Sequence, residues 1–453
     1  MANSEHDTIV AVATPPGRGG VGVVRLSGKH VSGIASALLG SKPEARRISF
    51  HHFRDADGTL IDSGLAIFFA APASFTGEDV LELQCHGSPV VLDALIARIL
   101  QLGARLAEPG EFSRRAFLND KMDLVQAEAI ADLINADSIQ SARAALRSMQ
   151  GEFSTSLHEL TELLITARMH VEAAIDFPEE ELDLMQDKVL LQRLEKAIAF
   201  CATIQRQANA GSVLREGLHV VIAGQPNAGK SSLLNCLAGY EVAIVTDIPG
   251  TTRDVLRERI LIDGMPVHVI DTAGLRDATD RVEAEGIKRT RSELGKADHI
   301  LYVVDASVYD EAQLQAALST LPEDIGVTVL MNKCDLVSQA ESATTNESHH
   351  PVRLYVSAVT RQGINELRQH LKNIAGFNNA ESGVFLARRR HLDSLERTHN
   401  HLQQALNNLL MNRSGEIAAE ELRLAQNDLA EITGEFTSED LLGRIFSSFC
   451  IGK

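Results

Sequence analysis

Short apolar runs alternate with polar turns along the first 120 residues, which is the pattern typical of β-strands. The runs are TIVAVAT, VGVVRL, SGLAIFFA and DVLELQCHG, and turns rich in Gly and Pro separate them. One helical pattern lies near residues 89–102. These residues therefore predict a compact α+β domain over residues 1–120.

From residue 121 the apolar residues recur three and four positions apart, the spacing of one helix face. The pattern runs through VQAEAIADLINADS, ARAALRSM, LTELLITARMHVEAAI and LLQRLEKAIAF. The segment FPEEE, residues 177–181, predicts a turn between helices because it combines a proline with acidic residues. The helical pattern returns after residue 383 in HLDSLERTHNHLQQALNNLL and AAEELRLAQNDLAEI.

Strands and helices alternate between these two helical stretches. The strand runs are LHVVIAG, MPVHVIDT, HILYVVDA, GVTVLMNK and RLYVSA, with helical segments between most of them. Such apolar strands predict a parallel sheet that is covered on both faces. We therefore expect an α/β domain over residues 217–376, inserted into one helical domain formed by residues 121–216 and 377–453.

Composition and charge narrow the class of protein. The chain has 453 residues and a net charge of −18, and its N-terminus lacks a secretory signal. Proteins that bind nucleic acid over a broad face are usually basic, so any RNA contact should use a local patch or a partner. Residues 388–390 (Arg-Arg-Arg) are a candidate patch, or simply a solvated helix start. The cysteines show no CxxC pair and predict a soluble cytoplasmic protein: Cys85, Cys201, Cys236, Cys334 and Cys450.

The segment GQPNAGKS, residues 224–231, has the spacing of a phosphate-binding P-loop. It follows the strand run LHVVIA and precedes the helical run SLLNCLAG, the context that this motif requires. Gly224 and Gly229 let the backbone wrap around phosphates. We expect Lys230 to reach the β- and γ-phosphates and the Ser231 hydroxyl to bind Mg²⁺.

Three further motifs follow in the order found in GTP-binding domains. In DTAG, residues 271–274, Asp271 would hold the hydration shell of Mg²⁺ and the N–H of the glycine would sense the γ-phosphate. In NKCD, residues 332–335, the Asp335 carboxylate would accept hydrogen bonds from guanine, whereas adenine presents the wrong donors. The backbone N–H groups of residues 357–358 would complete the base pocket. Together the motifs predict a GTPase and exclude a generic ATPase.

The segment TDIPGTTRD, residues 246–254, is positioned as the first switch, with Thr252 as the second Mg²⁺ ligand. Residue Leu275 stands where Ras-like enzymes place a water-orienting glutamine, so catalysis needs another group. Arg253 and Arg276 are possible arginine fingers. From the residues alone, the acids at 277, 280, 283 and 285 are interpreted as solvated carboxylates at the start of a helix. The expected GTP contacts are Asn227, Ala228, Gly229, Lys230, Ser231, Ser232, Thr246, Asp247, Ile248, Pro249, Gly250, Thr251, Thr252, Asp271, Thr272, Ala273, Gly274, Asn332, Lys333, Asp335, Ser357 and Ala358.

The chain resembles the bacterial tRNA modification GTPases of the MnmE (TrmE) family along its whole length. The blocks that carry the resemblance are TPPGRGGVGVVRLSG, SFTGEDVLELQCHG, PGEFSRRAFLNDKMDLVQAEAI, GQPNAGKSSLLN, TDIPGTTRD, DTAGLRD and the terminal CIGK. The resemblance implies a folate-binding, dimerising α+β N-terminal domain, a helical domain and an inserted Ras-like P-loop G domain with a doubly wound, mostly parallel sheet.

The resemblance also implies a GTPase that potassium activates. Asn227 and carbonyls of the first switch, near Thr246, Ile248 and Thr251, would hold K⁺ beside the phosphates, in place of an arginine finger. Glu283 would position the attacking water. From the residues alone, an asparagine in a tight loop also commonly caps backbone N–H groups, so that alternative stays open.

In the N-terminal domain the resemblance implies a site for a tetrahydrofolate derivative, either 5-formyl- or 5,10-methylene-tetrahydrofolate. Arg25, Glu82, Lys121 and Lys453 match the folate-contacting positions. Sequence alone would treat all four as ordinary surface charges. Cys450 is either a nucleophile in one-carbon chemistry or an ordinary residue of the tail, and the sequence does not decide between these roles.

The activity implied by the resemblance is GTP hydrolysis coupled to modification of wobble uridine at C5, by a carboxymethylaminomethyl or aminomethyl group. A flavin-dependent partner of the MnmG (GidA) family would take part, and the chain would form a homodimer that acts on tRNA. One alternative is an RNA- or ribosome-assembly GTPase switch, which predicts an appended KH-like or basic module. The other alternative is a scaffold with negligible turnover.

Overall fold

The structure, a computed structural model, describes most of the chain. The described residues are 7–176, 187–239, 257–271, 297–322, 325–337, 351–377, 383–412, 414–435 and 439–452. They belong to two compact units. The first unit contains Met1–Ala131, Ser148–Ile165 and Leu422–Lys453, and the second contains Asp132–Arg147 and Thr166–Glu421. The domain boundaries expected at residues 120, 216 and 376 stay predictions.

A six-stranded sheet forms the centre of the first unit, with strand order β3-β4-β5-β2-β1-β6. All neighbours are antiparallel except β1 and β6, which are parallel. Helices α1 and α2 pack with one face of the sheet in an apolar core. The elements are β1 (Ile9–Val12), β2 (Gly19–Ser27), α1 (Val31–Leu39), β3 (Ser49–Arg54), β4 (Leu60–Phe69), β5 (Val80–Gly87), α2 (Pro89–Gln101), β6 (Arg105–Leu106) and α3 (Glu111–Leu118).

The α+β prediction for this region is confirmed, but the expectation of a single helix was wrong. Helix α1 was missed because its sequence, VSGIASALL, contains Gly33 and two serines, which weaken a helical pattern. Helix α3 has only eight residues, too few to display the helical repeat. Strand β3 was missed because, as an edge strand, it keeps His51 and His52 among its apolar residues and does not alternate cleanly.

The predicted helices between the two sheets are present. They are α4 (Leu124–Ile134), α5 (Ile139–Met149), α6 (Glu152–Asp176) and α7 (Lys188–Glu216). The turn expected at residues 177–181 lies outside the described residues. Helix α7 begins at Asp187, whose carboxylate accepts hydrogen bonds from the N–H groups of Val189 and Leu190, as an N-cap does. It ends at Gly217, whose φ of 75° turns the chain into the second sheet.

The second unit contains the other six-stranded sheet, ordered β12-β11-β10-β7-β9-β8. Five of its strands are parallel, as predicted, and only β8 runs antiparallel, to β9. The elements are β7 (Leu218–Gly224), α8 (Lys230–Ala238), β8 (Arg257–Ile262), β9 (Met265–Asp271), β10 (His299–Asp305), α9 (Glu311–Leu318), β11 (Gly326–Asn332), a short 3₁₀ helix (Cys334–Leu336), β12 (Val352–Tyr355) and α10 (Ile364–Ile374).

Strand β8 was not predicted from the sequence, although the sequence contains a local signal for it. Asp263 and Gly264 join β8 to β9 and have φ angles of 52° and 85°. An Asp-Gly pair with two positive φ angles is the usual two-residue turn of a β-hairpin. The sheet is therefore mostly parallel, as the family resemblance implies, with one antiparallel edge strand.

Helical residues return after the second sheet, as predicted. They form α11 (Arg389–Asn407), a π-helical turn (Asn408–Asn412), α12 (Gly415–Thr433) and α13 (Glu439–Ser447). Within the second unit, Gly211 of α7 is required by close packing, because a Cβ there would lie 1.8 Å from the carbonyl oxygen of Phe385. No helix among the described residues is long and apolar enough to cross a membrane.

Parallel pairing brings the strand ends of the second sheet to one edge. In the register of the sheet, Val303 of β10 lies beside Gly224 of β7, and Asp305 lies beside Asn332 of β11. Strand β9 ends at Asp271 on the same edge. Because the carboxyl ends of parallel strands are the usual place for ligands in such folds, this edge is where the predicted nucleotide motifs meet.

A buried ionic network fixes helix α3 in the first unit. The Glu111 carboxylate accepts hydrogen bonds from Arg105, at 2.5 Å, and from Arg115, at 2.9 Å. Arg115 also donates to Asp7, at 2.8 Å, and forms an ion pair with Glu78, at 3.1 Å. Burial alone would raise the pKa of Glu111, but the hydrogen bonds from Arg105 and its other donors outweigh burial and lower the pKa.

We expect Glu111→Gln to weaken α3 by about 2 kcal/mol at neutral pH, because the buried Arg115 and the half-buried Arg105 then lose the Glu111 carboxylate as a partner. The contribution of Glu111 is present above its ordinary pKa and disappears as pH falls through the lowered pKa, so the difference from wild type should shrink in acid. Hydrogen exchange of residues 105–118 at two pH values measures this. Glu108→Gln, at an exposed position nearby, is the matched control. Equal protection in both variants would contradict the prediction.

Candidate nucleotide-binding site

The predicted P-loop lies between β7 and α8, so its strand–loop–helix context is confirmed. Gly224, with φ of 142°, is required because a Cβ there would lie 2.1 Å from the carbonyl oxygen of Val303. Gly229 has φ of 91° and is the N-cap of α8. Asn227 is exposed and has φ of 63°, a left-handed conformation that asparagine tolerates better than most residues.

The first residues of α8 have the chemistry of a phosphate site. Lys230 is buried, and its ammonium donates to the carbonyl oxygens of Gly224, at 3.1 Å, and Gln225, at 2.9 Å. Ser231 and Ser232 are exposed. The exposed Ser231 hydroxyl can therefore serve a ligand. The first N–H groups of a helix also favour an anion there.

Asn332, the first residue of NKCD, connects the phosphate loop to the base loop. Its side chain is buried, and Nδ2 donates to the carbonyl oxygen of Ala228 at 2.8 Å. Its Oδ1 accepts a hydrogen bond from the N–H of Ala358 at 3.3 Å. A Cβ on Gly229 would lie 2.3 Å from Nδ2, so glycine is also what lets this amide approach. Asn332 therefore holds the two loops together.

The other residues of NKCD extend along the same loop. Lys333 has φ of 62° and is the N-cap of the short 3₁₀ helix, while Cys334 is buried beneath it. Asp335 is exposed, as a carboxylate that reads the edge of a base must be. The sequence reading missed Asp305, the last residue of β10, whose carboxylate lies 2.6 Å from the Lys333 ammonium. Its position at the strand end was the available signal.

Ser357 and Ala358, which follow β12, use their backbone N–H groups within the protein. The N–H of Ser357 donates to the carbonyl oxygen of Gln362 at 2.9 Å, and that of Ala358 is used by Asn332. The Ser357 hydroxyl accepts from the N–H of Thr360, at 3.1 Å. These bonds shape the loop beside Asn332, because a buried N–H needs an acceptor. The assignment of both residues to GTP stays a prediction.

Several predicted residues cannot be placed. Asp271 ends β9, but its side chain lies outside the described part of the chain. The first switch, the rest of DTAG, the acids downstream of it and the terminal lysine lie outside the described residues as well. They are Thr246, Asp247, Ile248, Pro249, Gly250, Thr251, Thr252, Thr272, Ala273, Gly274, Glu283 and Lys453.

In the first unit, two of the predicted folate residues lie together. Arg25 on β2 and Glu82 on β5 are paired in the sheet register, and the Arg25 Nε donates to Glu82 at 2.8 Å. The Arg25 Nη1 also donates to the carbonyl oxygen of Gly452 at 3.3 Å, which places the residue before Lys453 at this site. Lys121 is exposed, and its ammonium donates to the carbonyl oxygen of Pro72.

Two aromatic rings that the sequence reading missed flank Arg25. The guanidinium carbon lies 5.8 Å from the ring centroids of both Phe75 and Phe112, within range of a cation–π contact. The C-terminal tail is held nearby, because the carbonyl oxygen of Cys450 accepts a hydrogen bond from Gly110 at 3.3 Å. The Cys450 side chain is exposed, which leaves both of its interpretations open.

The candidate basic patch is partly neutralised. Arg388 donates to Asp132 at 3.0 Å, and Arg389 lies 3.5 Å from Asp393 on the next helical turn. This pairing favours the interpretation of residues 388–390 as the start of a helix. Among the described residues, no group of three or more His, Cys, Asp or Glu side chains could hold a metal ion.

Comparison with known proteins gives matches over the whole chain. A family model described as the MnmE helical domain matches residues 124–450, and one described as the GTP-binding protein TrmE N-terminus matches residues 8–121. The tRNA modification GTPase MnmE of Erwinia tasmaniensis is 57% identical, over 99% of this chain and 100% of that protein. The chain belongs to the MnmE family.

Other members of the MnmE family match as closely. The tRNA modification GTPase MnmE of Proteus mirabilis is 56% identical, over 99% of both chains. Among solved structures, the G domain of the T. maritima FeoB iron transporter is 28% identical, with a TM-score of 0.26, over 35% of this chain and 98% of that chain. The family resemblance inferred from the sequence blocks is confirmed, and with it a GTP hydrolase of the MnmE type.

Proposed function

We propose that this chain is a potassium-activated GTPase whose hydrolysis serves the modification of wobble uridine at C5 in certain tRNAs. A flavin-dependent partner of the MnmG (GidA) family would take part, and the added group would be carboxymethylaminomethyl or aminomethyl. The observation that carries the proposal is the pair of hydrogen bonds that the Asn332 amide makes at one edge of the sheet. In a member of the MnmE family, these bonds hold a P-loop and a guanine motif together.

The nucleotide phosphates would lie against residues 224–232. Lys230 is placed to exchange its two carbonyl acceptors for phosphate oxygens, which are better partners for an ammonium. The exposed Ser231 hydroxyl would hold Mg²⁺ together with the hydroxyl of Thr252, and the ion would neutralise phosphate charge during hydrolysis. Asp271 would hold the hydration shell of that ion.

Asn227 supports the potassium part of the proposal. It is exposed on the phosphate loop, and its amide oxygen is a suitable ligand for a monovalent cation. Carbonyl oxygens near Thr246, Ile248 and Thr251 would complete the set, and the ion would supply the positive charge that an arginine finger supplies elsewhere. Glu283 is proposed to position the attacking water, because Leu275 cannot.

We expect GTP hydrolysis to be at least about tenfold faster in KCl than in NaCl at equal ionic strength, because a missing charge at the phosphates is costly. Asn227→Ala should lose most of this stimulation. Asn235→Ala changes an exposed asparagine on α8 and should keep it. The initial rate of phosphate release measures hydrolysis by the wild-type chain and by each variant in the two salts. Equal rates of the wild-type chain in the two salts would refute potassium activation.

The pair Arg25–Glu82 supports the folate part of the proposal. A carboxylate suits the N–H donors of a pterin, and the cations Lys121 and Lys453 suit the glutamate tail of a folate. Phe75 is partly exposed beside Arg25 and offers an apolar ring face. The 5-formyl- or 5,10-methylene-tetrahydrofolate would supply the one-carbon unit.

Glu82→Gln should weaken binding of 5-formyl-tetrahydrofolate by about tenfold or more, because a hydrogen bond to a charged group is lost. Isothermal titration with the full-length chain measures the affinity. Glu44→Gln removes an equally charged but exposed side chain, which is paired with the exposed Arg47, and serves as the control. Folate binding that is equally tight in the two variants would remove Glu82 from the site.

The remaining partners follow from charge and surface. The net charge of −18 indicates that MnmG would provide much of the tRNA contact. The sequence has no dinucleotide fingerprint, so the redox cofactor would come from the same partner. Phe50 on β3, Leu65 on β4 and Ile48 just before β3 are exposed apolar residues, which supports homodimerisation through the N-terminal domain. Four buried free cysteines agree with the reducing cytoplasm.

A further inference from the structure

We propose that Asp305 is a positioning residue of the nucleotide site, which acts through Lys333 on the guanine base. The inference rests on the proposed site and assigns a role to a residue outside its motifs. Asp305 ends β10 and is paired with Asn332 in the sheet register, so its carboxylate lies next to the base loop. Its Oδ2 accepts from the Lys333 ammonium at 2.6 Å.

The Asp305 carboxylate is itself held in one orientation. Its Oδ1 accepts hydrogen bonds from the N–H of Ser307, at 3.0 Å, and from the Ser307 hydroxyl, at 2.6 Å. Burial alone would raise the pKa of Asp305, but the hydrogen bonds from Lys333 and Ser307 outweigh burial and lower the pKa. The carboxylate therefore stays charged at neutral pH. Both of its oxygens are engaged, so it is a fixed anchor for the lysine.

Lys333 is thereby fixed at both ends. Its backbone has φ of 62° at the start of the 3₁₀ helix, and its ammonium is held by Asp305. A lysine side chain loses considerable rotamer entropy when it is ordered. Fixing it before the ligand arrives removes that cost from binding.

The place of the lysine in the loop indicates what it contacts. Lys333 lies between Asn332, which braces the loop, and Asp335, the residue proposed to read the edge of the base. A purine whose edge is held at Asp335 presents its ring face to the methylene chain of the neighbouring Lys333. Lysine stems cover apolar surface while the ammonium stays in a polar environment. Asp305 supplies that polar environment for the Lys333 ammonium.

A purely structural role for the pair is the competing explanation. The Lys333 side chain is 34% exposed and that of Asp305 is 19% exposed, so their ion pair is partly screened by solvent. Strands β10 and β11 are held together along their whole length by backbone pairing, from His299 and Gly326 to Asp305 and Asn332. Loss of the carboxylate charge should therefore leave the sheet folded and act on the ligand.

The test compares Asp305→Asn with Asp310→Asn. Asp305→Asn removes one negative charge at the end of β10, and Asp310→Asn removes one five residues later. Asparagine retains the N-cap that Asp310 provides for α9 through the N–H of Ala312. We expect Asp305→Asn to weaken GDP binding by about tenfold, chiefly through faster dissociation, and Asp310→Asn to bind GDP as the wild type does. Thermal unfolding midpoints should be equal in the two variants.

A double-mutant cycle with Lys333→Met separates action through the lysine from any other effect. Asp305→Asn should weaken GDP binding in the wild-type chain but not in a Lys333→Met chain. IDP lacks only the amine that Asp335 would read, so Asp305→Asn should weaken GDP and IDP by the same factor. Additive effects of the two substitutions, or GDP binding by Asp305→Asn as tight as by Asp310→Asn, would overturn the proposal. A wild-type chain that fails to bind GDP would instead refute the nucleotide site itself.

Discussion

A single buried side-chain amide holds the loops at one edge of the second sheet close enough together to bind one nucleotide. Asn332 donates to the phosphate loop at Ala228 and accepts from the loop after β12 at Ala358. An amide offers a donor and an acceptor at one terminus, which neither a carboxylate nor an apolar side chain does. Parallel strands bring these loops to the same edge, and the amide fixes their spacing. That spacing decides whether one nucleotide can contact Lys230 with its phosphates and Lys333 and Asp335 with its base.

The first unit uses a similar arrangement around Arg25. Its guanidinium contacts Glu82 across the sheet and Gly452 near the end of the chain, so residues far apart in sequence meet at one site. Gly452 has φ of 95°, and a Cβ there would lie 2.5 Å from the carbonyl oxygen of Val12. The tail can approach the sheet only because this residue is glycine.

Sequence reasoning recovered what is encoded locally. The P-loop and NKCD are contiguous residues whose chemistry follows from their spacing, so their strand–loop–helix context could be predicted. The contacts of Asp305 with Lys333 and of Phe75 with Arg25 could not be predicted, because each joins residues that lie far apart in the sequence. The protein acceptors of the N–H groups of residues 357–358 could not be predicted for the same reason, since they depend on a folded loop. Strand β8 is different, because its Asp-Gly turn was visible in the sequence.

The most direct test of the guanine site is a change of base preference. An Asp335 carboxylate accepts from the N1–H and the amine of guanine, whereas xanthine presents a carbonyl oxygen in place of the amine. Wild-type chain should therefore bind GDP about a hundredfold or more tighter than XDP, and Asp335→Asn should reverse the preference, because its amide can donate to that oxygen. Titration calorimetry with both nucleotides gives the result. A wild-type chain that does not discriminate, or an Asp335→Asn chain that still prefers GDP, would contradict the account.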